Sequence, residues 1–262
     1  MKVMSTALVA IAAWSGTALA QEEIRVLRVQ PSDPEQAFYE RAEAAYEAQN
    51  PGVDVVFEYI ANEAYKSKLP TLLQSNARPD IFYSWGGQTL VEQAEAGFLK
   101  DISGEITEEV RATFPEAALT AYSVDGALHG LPLYATEVVF WVNTALTEQA
   151  GVDHNAIKTW DDLLAAVQTM KDAGVTPMVV GGQDKWPLHF YWSYLALREG
   201  GADVVTAAME GADGGFEAEP FIAAGADFQK LTDLEPFQPG FMGTTYETAS
   251  GMFADGKGAL HL

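Results

Sequence analysis

The spacing of hydrophobic and polar positions predicts alternating strands and helices from residue 24 onward. Residues 24–29 combine apolar and polar side chains in near alternation, as in a strand, and residues 53–59 form a second predicted strand. Between them the spacing predicts a helix over residues 35–49, which Asn50-Pro51-Gly52 ends. The apolar side chains that this helix places on one face are Phe38, Ala42, Ala45 and Tyr46.

The same order of elements continues after the second strand. A second helix is predicted over residues 63–76, although Pro70 should kink it, and residues 81–83 form a third strand. The apolar side of this helix carries Tyr65, Leu69, Leu72 and Leu73. Strands that alternate with helices in this way predict a parallel sheet covered by helices.

A second set of elements begins after residue 151. Thr159 is expected to cap a helix that ends at Gly174, and residues 177–180 form a buried strand. A strongly aromatic helix follows over residues 187–199 and is closed by Gly200-Gly201. Apolar neighbours or an amphipathic helix indicate a core position for Trp141, Trp160 and Trp192.

The N-terminus has the pattern of an export signal. Lys2 supplies a positive charge, residues 3–13 are apolar but too few to span a bilayer, and Ala18-Leu19-Ala20 supplies the small residues of a cleavage site. We therefore predict a signal peptide over residues 1–20, cleaved after Ala20, and a periplasmic mature protein. An uncleaved anchor helix is the alternative.

Composition narrows the classes of partner. The chain has no cysteine, so no disulfide holds it, and its 48% of hydrophobic residues are enough to build a core. The formal net charge of −22 opposes binding to nucleic acid and to anionic lipid. No second hydrophobic stretch is long enough to cross a membrane, so the sequence does not predict an integral membrane protein.

Short motifs from residue 24 to residue 262 resemble those of one known family. They are Ala48-Gln-Asn-Pro-Gly-Val53, Ala77-Arg-Pro-Asp-Ile81, Ala96-Gly-Phe-Leu-Lys-Asp101, His129-Gly-Leu-Pro132, Val142-Asn-Thr144, Thr159-Trp-Asp-Asp-Leu163 and Phe253-Ala-Asp-Gly-Lys-Gly-Ala-Leu260. In this order and spacing, they resemble the family 1 extracellular solute-binding proteins of ABC importers, the group that includes maltose-binding protein.

The resemblance implies an α/β, two-lobe periplasmic-binding-protein fold of type II, with crossing hinge strands and the ligand between the lobes. In the fold that the resemblance implies, lobe one begins with residues 21–130, and residues 131–143 form the hinge crossing. Lobe two begins with residues 144–258, and residues 259–262 start the return crossing. The sequence stops before the Gly-x-Trp step that usually follows in this family, so we expect a fragment whose final portion is missing.

The function implied by the resemblance is capture of a sugar or oligosaccharide by hinge closure and its delivery to an ABC permease, by a monomeric protein. Another cargo, such as a polyamine or a peptide, and a periplasmic sensor remain alternatives. A secreted glycoside hydrolase is a further alternative, because some pair of carboxylates is inevitable in so acidic a chain. The sequence contains no Gly-x-Ser-x-Gly and no His-Glu-x-x-His, and we expect no enzyme activity.

We also expect neither a cofactor nor a metal. No phosphate-binding loop is present, so an ATPase would be another subunit. The histidines have no metal-ligand spacing; they are His129, His154, His189 and His261.

Aromatic side chains after the third strand are the first candidates for sugar binding. Sugars present apolar C–H faces and rings of hydroxyls, so their sites need aromatic plates together with carboxylates and amides. Trp85, in Ser84-Trp85-Gly86-Gly87-Gln88, lies where open α/β sheets bind ligands and is the predicted stacking residue. Gln88 is a further candidate, and packing within a core or loop is the alternative for Trp85.

The remaining candidates lie at other loops and junctions. Asp184 and Trp186 precede the aromatic helix, where Trp186 could instead complete the helix core. Similar proteins place an acidic hydroxyl acceptor in the crossing segment, which here contains Tyr134 and Glu137. The weaker candidates of lobe one lie at a strand-to-helix junction, where helix capping is a competing role; they are Asn62 and Glu63.

Overall fold

The computed structural model describes residues 22–134, 136–212 and 214–262. The chain divides into two compact units, with the boundary between Ala135 and Thr136. The predicted signal peptide lies outside the described residues. The lobe and hinge boundaries proposed from the sequence stay predictions.

The first unit is built on a parallel sheet, as the order of elements predicts. Its strands are β1 (Glu22–Val29), β2 (Val53–Ile60) and β3 (Ile81–Phe82), in the order β2-β1-β3. The central strand β1 pairs with β2 along its whole length, from Glu22 opposite Val53 to Val29 opposite Ile60. The carboxyl ends of β1 and β3 therefore reach the same edge of the sheet.

The described part of the first unit also contains helices and a hairpin. They are α1 (Asp33–Gln49), α2 (Asn62–Leu73), α3 (Gly87–Glu95), α4 (Glu108–Arg111), α5 (Glu116–Thr120) and the antiparallel pair β4 (Ser123–Val124) and β5 (Ala127–Leu128). The predicted apolar side of α2 is confirmed, since Tyr65, Leu69 and Leu73 are buried against Leu27 of β1.

The predicted inner face of α1 is wrong. Phe38 is 55% exposed and Tyr46 is 47% exposed, whereas Tyr39 is buried. The ring of Tyr39 packs against Phe57 of β2 with centroids 5.6 Å apart, and the guanidinium carbon of Arg28 lies 3.7 Å from its centroid. Contacts with the sheet, including one with a charged side chain, therefore set the orientation of α1.

The second unit has its own three-stranded sheet. Its strands are β6 (Trp141–Val142), β7 (Met178–Val179) and β8 (Leu260–His261), in the order β6-β8-β7. The central strand β8 is antiparallel to β6 and parallel to β7. Residues 259–262 thus supply the middle of this sheet, and their role as a return crossing stays a prediction.

Five longer segments of helix surround this sheet in the described part of the chain. They are α6 (Thr144–Gln149), α7 (Trp160–Asp172), α8 (Trp186–Met209), α9 (Glu219–Asp233) and α10 (Tyr246–Ala254). Thr159 caps α7 as predicted: its hydroxyl oxygen accepts from the Asp162 backbone N–H at 3.1 Å, and the Asp162 carboxylate accepts from the Thr159 N–H at 2.9 Å. The predicted break at Gly200-Gly201 is a kink inside α8, where Gly201 has a φ of 77°.

Two of the three tryptophans assigned to the core pack there, and one does not. Trp160 packs against Leu163 and its neighbours, and Trp192 stacks on Phe221 with centroids 5.8 Å apart. Trp141 is 63% exposed, so its core assignment is wrong. It lies on the edge strand β6, which has a neighbouring strand on one side within this sheet.

A buried side-chain amide extends the edge of β7. Gln238 is 2% exposed, and its Oε1 accepts from the Val180 N–H at 3.0 Å while its Nε2 donates to the Val180 carbonyl at 2.8 Å. Its own backbone N–H donates to the Met178 carbonyl at 3.2 Å. One side chain thus satisfies both backbone groups of a buried residue.

Replacing Gln238 by Ala should destabilise the fold. Both backbone groups of Val180 would lose their partner inside the core, which should lower the free energy of unfolding by about 2 kcal/mol or more. Urea unfolding of the full chain measures the change. Gln229→Ala is the control, because that exposed amide bonds to Asp233 on the surface of α9. Equal unfolding free energies for the two variants would contradict this account of Val180.

Candidate functional site

A small pocket lies at the carboxyl edge of the first unit's sheet. Its volume is about 130 Å³. Ligands of open α/β sheets bind at this edge, where loops leave the strands. The residues that line the pocket are Arg28, Val29, Gln30, Pro31, Glu35, Asn62, Tyr83, Trp85 and Tyr134.

Trp85 presents an aromatic surface at this pocket. The side chain follows β3, is 45% exposed, and packs edge-to-face with Tyr65 and Tyr83 at centroid distances of 5.7 and 5.0 Å. The next residue, Gly86, has a φ of 76°, and a Cβ there would lie 2.8 Å from the carbonyl oxygen of Ala121. Glycine is therefore required beside Trp85, and the turn that holds the indole has little freedom.

Hydrogen bonds of three tyrosine hydroxyls support the aromatic surface. Tyr65 donates to the Tyr83 carbonyl at 2.5 Å, and the hydroxyl oxygens of Tyr83 and Tyr134 are 2.9 Å apart. Burial, and then the hydrogen bond with Tyr134, raises the pKa of Tyr83 above its ordinary value. Burial likewise raises the pKa of Tyr65. Both hydroxyls therefore stay protonated at neutral pH and remain able to donate.

A buried charge lies at the base of the pocket. Arg28, near the end of β1, is 7% exposed and has a carboxylate neighbour, with its Nη2 atom 3.7 Å from Oε1 of Glu35. The same Glu35 oxygen accepts from the Tyr39 hydroxyl at 3.2 Å. Sequence reasoning missed these residues, because an arginine in a short strand gives no sign that it will be buried beside side chains of the next helix.

Three of the residues predicted for the site lie together at this pocket. They are Asn62, Trp85 and Tyr134. Glu63 is exposed beside the pocket, and its Oε1 accepts from Nδ2 of Asn62 at 2.7 Å and from Nζ of Lys66 at 2.9 Å. Gln88 is exposed in the first turn of α3 and is not part of the pocket lining. Their contact with a ligand stays a prediction.

The second unit places its predicted site residues in other surroundings. Oδ2 of Asp184 accepts from the backbone N–H of Tyr246, the first residue of α10, at 2.7 Å. The Trp186 ring packs on Tyr246 and Phe190 with centroids 4.6 and 5.5 Å apart. Glu137 is exposed on the segment before β6. The geometry of Asp184 and Trp186 is therefore that of a helix terminus and its aromatic packing.

Two further observations concern metal ions and membrane spans. Among residues 22–134, 136–212 and 214–262, no group of three or more His, Asp or Glu side chains is arranged to hold a metal ion. In the same described residues, we find no helix with the length and apolar character needed to cross a membrane.

The fold and the pocket are those of an α/β protein with a parallel sheet and a pocket at the carboxyl edge of that sheet. The chain belongs to the family of bacterial extracellular solute-binding proteins, whose model matches residues 30–261. The resemblance read from the short motifs is thereby confirmed. Members of this family are binding proteins that act outside the cytoplasm, as the family's description states.

Individual relatives cover most of this chain. A candidate binding protein of Brucella abortus is 25% identical over 235 residues, which are 90% of this chain and 56% of that protein. A xylose/arabinose-binding protein of Haloferax volcanii is 25% identical over 174 residues, 64% of this chain and 38% of that protein. The chain thus matches 56% of the length of the first relative and 38% of the length of the second, less than two thirds of either.

Solved structures give the same fold. A structure from work on xylan utilization by the thermophilic bacterium Caldanaerobius polysaccharolyticus superposes with a TM-score of 0.81 at 26% identity. The match covers 91% of this chain and 60% of that one. The α/β periplasmic solute-binding fold expected from the sequence is therefore confirmed.

The contact of Asp184 with α10 predicts a role in stability. Asp184→Ala should lower the free energy of unfolding by about 1 kcal/mol, since a backbone donor at a helix N-terminus loses its acceptor and a favourable negative charge. Asp184→Asn keeps an acceptor oxygen and should cost less. Urea unfolding measures both variants, with the exposed Asp203→Ala as control. Unchanged stability of Asp184→Ala, together with loss of ligand binding, would instead assign the carboxylate to a ligand.

Proposed function

We propose that this protein is the substrate-binding component of an ABC importer and that its cargo is a carbohydrate. The observation that carries the proposal is the exposed indole of Trp85, which stands among hydroxyl and amide groups at the sheet-edge pocket. The family supports a binding role, and relatives named for xylose and arabinose binding or for xylan utilization support a sugar as cargo.

The composition of the pocket matches the chemistry of a sugar. The apolar C–H face of a sugar ring packs on an aromatic plate, and its hydroxyls both donate and accept hydrogen bonds. Trp85 supplies the plate, the hydroxyls of Tyr83 and Tyr134 lie beside it, and Asn62 supplies an amide. A volume of about 130 Å³ suits a single ring or part of one rather than a long oligomer within this unit.

The charges at the pocket favour a binding protein for sugars over the alternatives. Glycoside hydrolysis generally needs two carboxyl groups at the scissile bond, and Glu35 is the sole carboxylate among the described residues that line the pocket. A polyamine would require acidic groups without a competing cation, whereas Arg28 lies at the base of the pocket. We therefore infer no enzyme activity and no polyamine cargo.

We include export to the periplasm and delivery of the sugar to a permease in the same proposal. Export by a signal peptide that is cleaved after Ala20 would bring the mature chain to the periplasm, as the N-terminal pattern indicates. There the loaded, monomeric protein would deliver its sugar to the transmembrane subunits of a permease.

Replacing Trp85 by Ala should weaken sugar binding about tenfold or more, which corresponds to about 1.4 kcal/mol. The physical reason is the loss of the aromatic plate. Isothermal calorimetry on the full chain, with xylo-oligosaccharides, arabino-oligosaccharides, xylose and arabinose, measures the dissociation constants.

Tyr46→Ala is the matched control for this experiment. Tyr46 is 47% exposed, close to the 45% of Trp85, and it belongs to α1 of the same unit but not to the pocket lining. Its substitution should leave the affinity unchanged. Equal affinities of wild type and Trp85→Ala would remove Trp85 from the site, and no sugar binding by the folded wild type would contradict the proposed function.

A further inference from the structure

Arg28 is a buried cation whose hydrogen-bond donors have no acceptor of their own. Its side chain is 9% exposed, and its guanidinium carbon lies 3.7 Å from the ring centroid of Tyr39 and 5.7 Å from that of Tyr83. Aromatic faces stabilise a guanidinium charge, but they are not conventional acceptors for its five N–H groups. The contacts with Tyr39 and Tyr83 therefore hold the cation in place without using its donors.

The nearest carboxylate does not supply an acceptor for these donors. Oε1 of Glu35 lies 3.7 Å from Nη2 of Arg28, beyond hydrogen-bond distance. In the part of the chain that the structure describes, the guanidinium makes no hydrogen bond. The guanidinium nitrogens are not among the described side-chain atoms that lie both unpaired and out of reach of solvent, so they remain open to solvent and to a ligand. Arg28 lines the pocket, so a bound molecule is positioned to supply the missing acceptor.

Glu35 is held as an acceptor next to these donors. The Tyr39 hydroxyl donates to its Oε1 at 3.2 Å, and the side chain keeps 38% of its surface exposed. Tyr39 thus contacts both charged groups, with its ring on Arg28 and its hydroxyl on Glu35. The pair presents a donor and an acceptor side by side in one pocket.

The net charge of the lining decides which ligand fits. Arg28 and Glu35 are the two ionised side chains among the described residues that line the pocket, and their charges cancel. A neutral sugar with adjacent hydroxyls can accept from one and donate to the other. A uronate keeps adjacent ring hydroxyls but carries a carboxylate on C5. Seated against the pair, that carboxylate would be attracted by Arg28 but repelled by Glu35, and it offers Glu35 no hydrogen to accept.

We infer that Arg28 and Glu35 form a donor–acceptor pair that binds two adjacent hydroxyls of a neutral sugar and disfavours the corresponding uronate. This inference rests on the proposed function and adds the class of sugar and two residues that determine specificity. Trp85 would contact the ring face, and the pair would contact its hydroxyl edge.

Calorimetry on the full chain tests the pair with matched ligands. D-xylose, D-glucose and D-glucuronate share a pyranose ring and differ only at C5, and the tightest neutral sugar of the oligosaccharide panel is measured beside them. Arg28→Lys keeps the charge but loses the planar fork of donors, and Glu35→Gln keeps the shape and the contact with Tyr39. Arg25→Lys on β1 and Glu40→Gln on α1 are the matched controls, outside the pocket.

The wild type should bind the neutral sugars more tightly than D-glucuronate. Arg28→Lys should weaken neutral-sugar binding about tenfold, and Glu35→Gln should weaken it about threefold to tenfold. Glu35→Gln should also narrow the difference between D-glucose and D-glucuronate about fivefold, because the repulsion is removed. The two control variants should bind as the wild type does.

The outcomes that overturn the inference are separable from failure of the proposed function. Unchanged neutral-sugar affinity in both variants, with Trp85→Ala still impaired, overturns the pair and leaves the sugar carrier intact. Tighter binding of D-glucuronate than of neutral sugars by the wild type does the same. No sugar binding at all contradicts both proposals. If thermal unfolding shows that Arg28→Lys is not folded, the change in selectivity of Glu35→Gln decides.

Discussion

The burial of one cation at the end of β1 determines how the first unit is organised around its pocket. Arg28 is taken out of water, and the Tyr39 ring lies 3.7 Å from its guanidinium carbon. A buried charge must be compensated, and here a ring face and a nearby carboxylate do so. To place Tyr39 over Arg28, α1 must turn that residue inward, which leaves Phe38 on the exposed side of the helix. The base of the pocket and the orientation of α1 are thus two consequences of the same contact.

The aromatic part of the pocket lining depends on a backbone restriction rather than on a charge. Gly86 adopts a φ of 76° directly against the Ala121 carbonyl, so the chain turns sharply after Trp85. The turn fixes the indole against Tyr83 and Tyr65, and these rings are joined through hydrogen bonds to the Tyr83 carbonyl and to Tyr134. An exposed tryptophan held this rigidly loses little conformational freedom when a ligand stacks on it, which favours binding.

Sequence patterns predicted strands and the buried face of a helix well where apolar contacts alone determine that face. The parallel sheet and the buried side of α2 follow from long, regular apolar spacing, and Tyr65, Leu69 and Leu73 are buried as expected. The prediction for α1 was wrong because Tyr39 faces inward to contact the Arg28 guanidinium on the sheet. Hydrophobic periodicity does not indicate such a contact. The core assignment of Trp141 was wrong for a different reason. Strand order depends on the whole sheet, so the local sequence does not show that Trp141 lies on an edge strand.

The candidate site shows the same division between local and distant causes. Trp85 and Asn62 could be proposed from the sequence because each follows a strand that ends at the ligand-binding edge. Arg28 could not, since its significance depends on Tyr39 and Glu35 in the next helix. Asp184 illustrates the converse, because a carboxylate beside a strand end is equally suited to a ligand and to a helix N-terminus. The backbone N–H of Tyr246 already occupies it, at 2.7 Å. Polar residue type and position therefore identify candidates, and the contacts that each group makes in the folded chain, such as that of Asp184 with α10, are needed to distinguish a structural role from ligand binding.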